Sequence, residues 1–162
     1  METNRVCACV VVGVTVLLSA GTTSAQGVSR PMGKPFSGRL STVPVDPAAA
    51  SPTAGSGTLY SVLLYDGVQY DGKGKLQING TFEGLNSPAT AAHFHRGPEG
   101  QPGPKVSDLT VTKAKSGVIK GSVTLTGAEV EELTKGSYYL QIDTEKNPDG
   151  EVRGWLLAGM LK

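Results

Sequence analysis

Lys75-Leu76-Gln77-Ile78-Asn79-Gly80-Thr81-Phe82 is the stretch from which the fold is read. Leu76, Ile78, Gly80 and Phe82 fall on one parity; Lys75, Gln77, Asn79 and Thr81 fall on the other. Strict alternation of this kind marks a strand with one face in a core and the other in water. Asn79-Gly80 is also a strong hairpin signal. The alternation keeps its phase through the pair, so one continuous strand is expected. Asn79-Gly80-Thr81 is in addition a glycosylation sequon, relevant only on a eukaryotic secretory route.

Working outward, the same character recurs on both sides. Thr58 to Tyr65 is rich in β-branched, aromatic and aliphatic residues. Its apolar run is nearly continuous, which predicts a strand covered on both faces. Asp66-Gly67 and Asp71-Gly72 mark turns beyond it. Further upstream, Phe36 to Val43 reads as an edge strand stopped by Pro44. Downstream, strands are expected over Val106 to Val111, Val118 to Leu125, Ser137 to Thr144 and Val152 to Met160. Thr126-Gly127-Ala128-Glu129 is a capping box, Val130 and Leu133 give one apolar stripe, and Gly136 is a helix stop. One short helix over about 127–135 is therefore predicted. With 22 Gly and 10 Pro punctuating the chain, the fold class is all-β. The expected architecture is a Greek-key-like antiparallel β-sandwich of about seven to nine strands.

Residues 1–25 read as a secretory signal peptide. Arg5 precedes the apolar run Val10 to Leu18, which is too short to span a bilayer, and Thr23-Ser24-Ala25 offers small residues before a cut at Gln26. A cut at Ala20 and an uncleaved membrane anchor are the alternatives. Cys7 and Cys9, the only cysteines, leave with the leader, so the mature protein would have neither disulfides nor thiolate ligands. Residues 26–35 read as a flexible linker and 36–162 as the folded domain. These features place the protein outside the cell or in the periplasm or cell envelope, without stable membrane insertion once the leader is gone. A net charge of +1 gives no case for nucleic acid.

Chemistry concentrates in Thr90-Ala91-Ala92-His93-Phe94-His95-Arg96-Gly97-Pro98, which holds the only two histidines. On a strand, His93 and His95 share a face roughly 7 Å apart, while Phe94 faces the core. Two imidazoles so placed can reach one metal ion or one anionic group. Two protein ligands fall short of the three or four that a zinc site uses. Asp149 and Glu151 are weaker further candidates. No G-x-S-x-G elbow, P-loop or dinucleotide fingerprint occurs in the sequence.

Two segments together resemble the CHRD (chordin-type) domain family. Gly84-Leu85, Ser87-Pro88-Ala89-Thr90-Ala91 and His93-Phe94-His95 with its Gly/Pro loop match one family motif. Gly136 to Thr144 followed by Asn147-Pro148-Asp149-Gly150-Glu151-Val152-Arg153-Gly154 matches the other. The likeness runs from about Pro35 to Gly159. The Gly-Leu…His-x-His pattern is also similar to the metal strand of copper/zinc superoxide dismutases. That supports a sandwich but not the activity, since such a centre needs several histidines. Where the CHRD family usually has His before Thr, this chain has Asp143. If the family's histidines bind metal, the set here would be His93, His95 and Asp143, and carboxylate weakens a copper site more than a zinc-like one.

The resemblance implies a secreted interaction module whose partner is another protein, a surface polymer or a matrix component. The reading leans away from an enzyme. A metal-binding envelope protein using the His-x-His strand with copper or zinc is the alternative, and an enzyme of unrecognised type is a further one.

Overall fold

The computed structural model describes residues 33–42, 55–65 and 73–161. The expected leader, most of the expected linker and the Asp66-Gly67 and Asp71-Gly72 turns lie outside the described residues. The elements in order are β1 (Lys34–Thr42), β2 (Ser56–Tyr65), β3 (Gly74–Glu83), β4 (Ala89–Arg96), β5 (Lys105–Val111), β6 (Gly117–Leu125), α1 (Gly127–Thr134), β7 (Tyr138–Thr144), β8 (Val152–Trp155) and β9 (Leu157–Ala158). The class is all-β with one short helix, and every strand pairing is antiparallel. β1 begins two residues before the expected domain start, within the segment read as linker.

β3 is one strand, as its alternation requires. Leu76, Ile78 and Phe82 are buried, and Lys75, Gln77, Asn79 and Thr81 are exposed. Asn79 and Gly80 pair with Tyr60 and Leu59 of β2 rather than forming a turn. β2 differs from expectation. Leu59, Ser61 and Leu63 point inward, but Tyr60 and Val62 are exposed, so only one of its faces is covered. Valine and tyrosine are good strand residues on either face of a sheet. A run of them therefore does not report double burial.

The strands follow the order β2-β3-β6-β5-β4-β7-β8-β1, and β1 pairs back onto β2. The result is a closed eight-strand barrel with β9 added beside β1, not a sandwich of two separate sheets. Four strands lie in the order β7-β4-β5-β6, with the chain returning through α1 to set β7 beside β4, a Greek-key connection. Closure runs through two strands that change partners. β1 pairs with β2 over Lys34–Leu40 and with β8 at Ser41 and Thr42. β5 pairs with β4 around Ser107–Leu109 and with β6 at Thr110 and Val111. Closure satisfies main-chain groups that an open edge would leave bare. β1 is therefore a seam and not the expected edge strand.

Glycine permits the seam. A Cβ on Gly154 would lie 2.5 Å from the Arg39 carbonyl oxygen, and one on Gly38 would lie 2.2 Å from that of Trp155. The expected single last strand is broken at the same place. Leu156 drops into the core between β8 and β9, its N–H donating to the Tyr138 carbonyl.

The interior holds Phe36, Leu59, Leu63, Leu76, Ile78, Phe94, Ile119, Leu140 and Ile142. Phe94 stacks on Tyr138 at 5.0 Å. α1 starts with the expected capping box, Thr126 and Glu129 each accepting the other's N–H, and Gly136 follows it at φ +77°. Leu133 is its buried residue.

Truncating Ile78 to Ala should destabilise the barrel by about 2–5 kcal/mol, whereas Gln77→Ala should stay within about 0.5 kcal/mol. Gly154→Ala should cost about 1–3 kcal/mol by forcing β1 and β8 apart. Urea unfolding of the three variants checks the face assignment and the seam together.

Candidate functional site

The alternation in β4 sends Ala92 and Phe94 into the barrel and leaves His93 and His95 together on its outer surface. Register supplies their neighbours. His93 faces Asp108 on β5 and Gln141 on β7; His95 faces Tyr139. Across β7, Gln141 faces Arg153 and Tyr139 faces Trp155 on β8. Asp143 faces Ala91, one step along β7 from Gln141 on the same side, and so sits diagonally beside His93. The three residues singled out from sequence are thus brought to one face.

That face is not open. Every residue of β7 is buried. Its outward side chains are covered by two segments, 97–104 and 145–150. The first is fastened by an aromatic stack. His95 stacks on Tyr139 at 4.9 Å, and Tyr139 packs against Trp155 at 5.0 Å. The His95 Nδ1–H donates to the Gly103 carbonyl at 2.9 Å, and Gly103 N–H donates to the Tyr139 hydroxyl at 3.0 Å. Trp155 Nε1–H donates to the Gly97 carbonyl at 3.1 Å.

The second segment is fastened by polar groups. Arg153 Nη2 donates to the Asp149 carbonyl, and Gly150, at φ +109°, lies so close over Gln141 that a Cβ would fall 2.6 Å from its amide carbon. Glu151, only 3% exposed, accepts hydrogen bonds from Asn86 N–H, Thr144 Oγ1 and Asn147 Nδ2. It therefore ties the 84–88 segment to the 144–147 turn. Its carboxylate accepts three hydrogen bonds there, and Asp149 meets Arg153 through its main-chain carbonyl.

A chain of polar contacts runs across the cluster. Lys105 Nζ donates to Asp108 Oδ1 at 2.9 Å, and the same oxygen lies 2.7 Å from His93 Nδ1. His93 Nε2 lies 3.1 Å from Asp143 Oδ2. Asp143 Oδ1 accepts from Gln141 Nε2 at 2.7 Å, and Gln141 Oε1 accepts from Arg153 Nε at 2.5 Å. Arg153 also lies over the Tyr139 ring at 5.6 Å. His93 is thus held between two carboxylates, both of which can accept a proton-bearing nitrogen. The hydrogen bonds from Lys105 and then His93 hold the Asp108 carboxyl below its ordinary range.

His95 has a different environment. Its Nδ1 faces a carbonyl, which only accepts, so the proton belongs on Nδ1 and Nε2 carries the lone pair in the neutral ring. Nε2 is buried without a hydrogen-bond partner. Burial is the main cause that lowers this imidazole's pKa from 6.5, with the Gly103 bond opposing it and His93 adding to it. The His93 and His95 rings meet edge-on at 6.0 Å.

As the side chains stand, no group of three or more His, Cys, Asp or Glu among the described residues is placed to hold a metal ion. His93 and Asp143 touch; His95 turns to its loop. Asp108, Gly103 and Trp155 complete the cluster and carry no signal in the sequence, because register across β4, β5 and β8 decides their place. Gln141 and Tyr139 do carry one, sharing a parity with Asp143 on β7.

The family model for the CHRD domain matches residues 18–156. The chain belongs to the CHRD domain family. The match starts upstream of Pro35, in the last residues of the expected leader. No curated protein and no solved structure matches the chain, which leaves the likeness to copper/zinc superoxide dismutases resting on the residue pattern alone.

The lowered pKa of His95 fixes the sign of a pH effect. The folded state disfavours the protonated ring, so its contribution is complete above the unfolded value of 6.5 and is lost as pH falls below it. Between about pH 6.5 and 5, above the ordinary carboxylate range, the melting temperature of the wild type should fall more steeply than that of His95→Gln. Thermal melts in metal-free buffer across that interval measure the difference.

Proposed function

We propose that this chain is an extracellular or envelope-associated binding module without catalysis of its own. One observation carries the reading. The place where His, Asp, Arg, Gln and Tyr side chains converge is taken up by internal bonding that holds two surface segments against the barrel. A reaction centre needs such groups aimed at a space that a substrate can enter. Here they are aimed at Gly97, Gly103, Asp149 and one another. What the barrel offers outward is a set of shaped loops and open sheet faces, which suits recognition of a macromolecule.

Family membership supports the compartment, as does the leader read over residues 1–25. No helix among the described residues is long and apolar enough to cross a membrane. Expression of the full chain in a secretion-competent host should release a protein whose first residue is Gln26, as amino-terminal sequencing would show. Full-length chain held in the membrane fraction would contradict the processing. The purified protein should show no turnover of chromogenic acyl, phosphoryl or glycosyl esters. A saturable rate abolished by His93→Ala would overturn the non-catalytic reading.

A metal-binding second reading is favoured by the unpartnered Nε2 of His95. Both histidines hold Nδ1 against an oxygen, which is how metal-bound imidazoles are oriented. The 3.1 Å between His93 Nε2 and Asp143 Oδ2 suits two ligands on one ion as well as a hydrogen bond. An ion would have to draw His95 toward that pair. Asp143 favours a zinc-like ion over copper. Titration calorimetry with each metal should then give heat for the wild type that is lost in the His93→Ala/His95→Ala variant. Equal heats from both proteins would end this reading.

A further inference from the structure

The outer face of β2-β3-β6 lies on the barrel away from the histidine cluster. Register aligns three rows across it: Tyr60, Asn79 and Lys120; Val62, Gln77 and Ser122; Leu64, Lys75 and Thr124. No acidic residue stands in these rows. Tyr60 is 46% exposed and Val62 38%, and the β3 and β6 members of the rows are exposed throughout. Neither lysine joins an ion pair among the described residues. A shallow depression of about 260 Å³ is lined by Lys75, Gln77, Asn79, Lys120 and Ser122.

We propose that this face binds an acidic polysaccharide. The assignment rests on the binding-module reading and names the ligand class for it. Lys120 pairs with Asn79, four residues along β3 from Lys75, so the two cations stand on the order of 14 Å apart by strand rise and spacing. That is too far for one phosphate or carboxylate and suits a polymer with spaced negative charges. The rows between them carry amides and hydroxyls, which match sugar hydroxyls as donors and acceptors. Tyr60, in the row of Lys120, offers a flat apolar ring with a polar tip for the C–H face of a sugar. The openness of the face fits an extended chain better than an enclosed small molecule. A nucleic acid is the poorer match, since one tyrosine does not make a stacking platform for successive bases.

Affinity electrophoresis of the full chain tests this with polygalacturonate and heparin as probes. Fully methyl-esterified polygalacturonate and single-stranded DNA serve as controls. The wild type should be retarded by at least one acidic polysaccharide, less so at high salt, and not by the ester. Lys75→Gln/Lys120→Gln should lose about tenfold or more of that retardation, and Tyr60→Ala should weaken it at every salt concentration. All three positions are exposed, and circular dichroism should show an unchanged fold. No retardation by either acidic probe would overturn the proposal, as would equal retardation by the ester or by DNA. So would retardation that survives the lysine substitutions. None of these results would touch the non-catalytic reading, which stands or falls on turnover.

Discussion

β7 is covered on both sides, and that single constraint organises the rest. Its inward side chains, Tyr138, Leu140 and Ile142, complete the barrel core. Its outward side chains, Tyr139, Gln141 and Asp143, are buried as well, yet two of the three are polar and the third carries a hydroxyl. Buried polar groups need partners, because an unpaired one costs on the order of 1–3 kcal/mol. The polar partners come from the flanking strands and one covering segment: His93, Arg153 and the main chain of Gly103, while His95 stacks on Tyr139 and the Asp149 carbonyl is reached through Arg153. The layer is therefore a second, polar core outside the barrel, with the surface segments as its lid.

This arrangement explains why the histidine motif has its spacing. His95 must lie over Tyr139 to meet Gly103, and His93 must lie one pleat away to meet Asp108 and Asp143. It also explains why the two family motifs occur together. Glu151, in the turn before β8, accepts the amide of Asn86 in the segment before β4. Distant stretches are thus joined by one carboxylate. The 84–88 segment anchors the 145–150 cover, which Ser87 Oγ also holds by accepting the Lys146 N–H. Among the described residues the opposite wall, β2-β3-β6, has no such cover: Tyr60 stands exposed there, and Lys75 and Lys120 join no ion pair.

Much of the fold is legible in the residues. The Leu76–Phe82 alternation, the Thr126–Glu129 capping box and the Gly136 stop each report a local rule that the tertiary structure respects. What the sequence does not show is anything decided by register or closure. The sandwich becomes a closed barrel because β1 and β5 exchange partners midway, and pairing partners leave no trace in alternation. The last strand breaks at Leu156 for the same reason. At the candidate site, the common face of His93, His95 and Asp143 follows from parity and family likeness. Their separate commitments do not. Asp108 reaches His93 only through the β4–β5 pairing, and Gly103 meets His95 through the path of a loop.

The central claim is that the histidine layer is a fastening for surface segments. Amide hydrogen exchange on the wild type and on His95→Ala tests it most directly, read at Gly97, Gly103 and the strands together. Strong protection is expected in the wild type at Gly97, whose N–H donates to the Ser137 carbonyl, and at Gly103. In the variant, protection at Gly103 should collapse while Leu76, Ile78 and Leu140 stay protected. Unchanged protection at Gly103 without the His95 ring would contradict the account and return that imidazole to the list of groups awaiting a ligand.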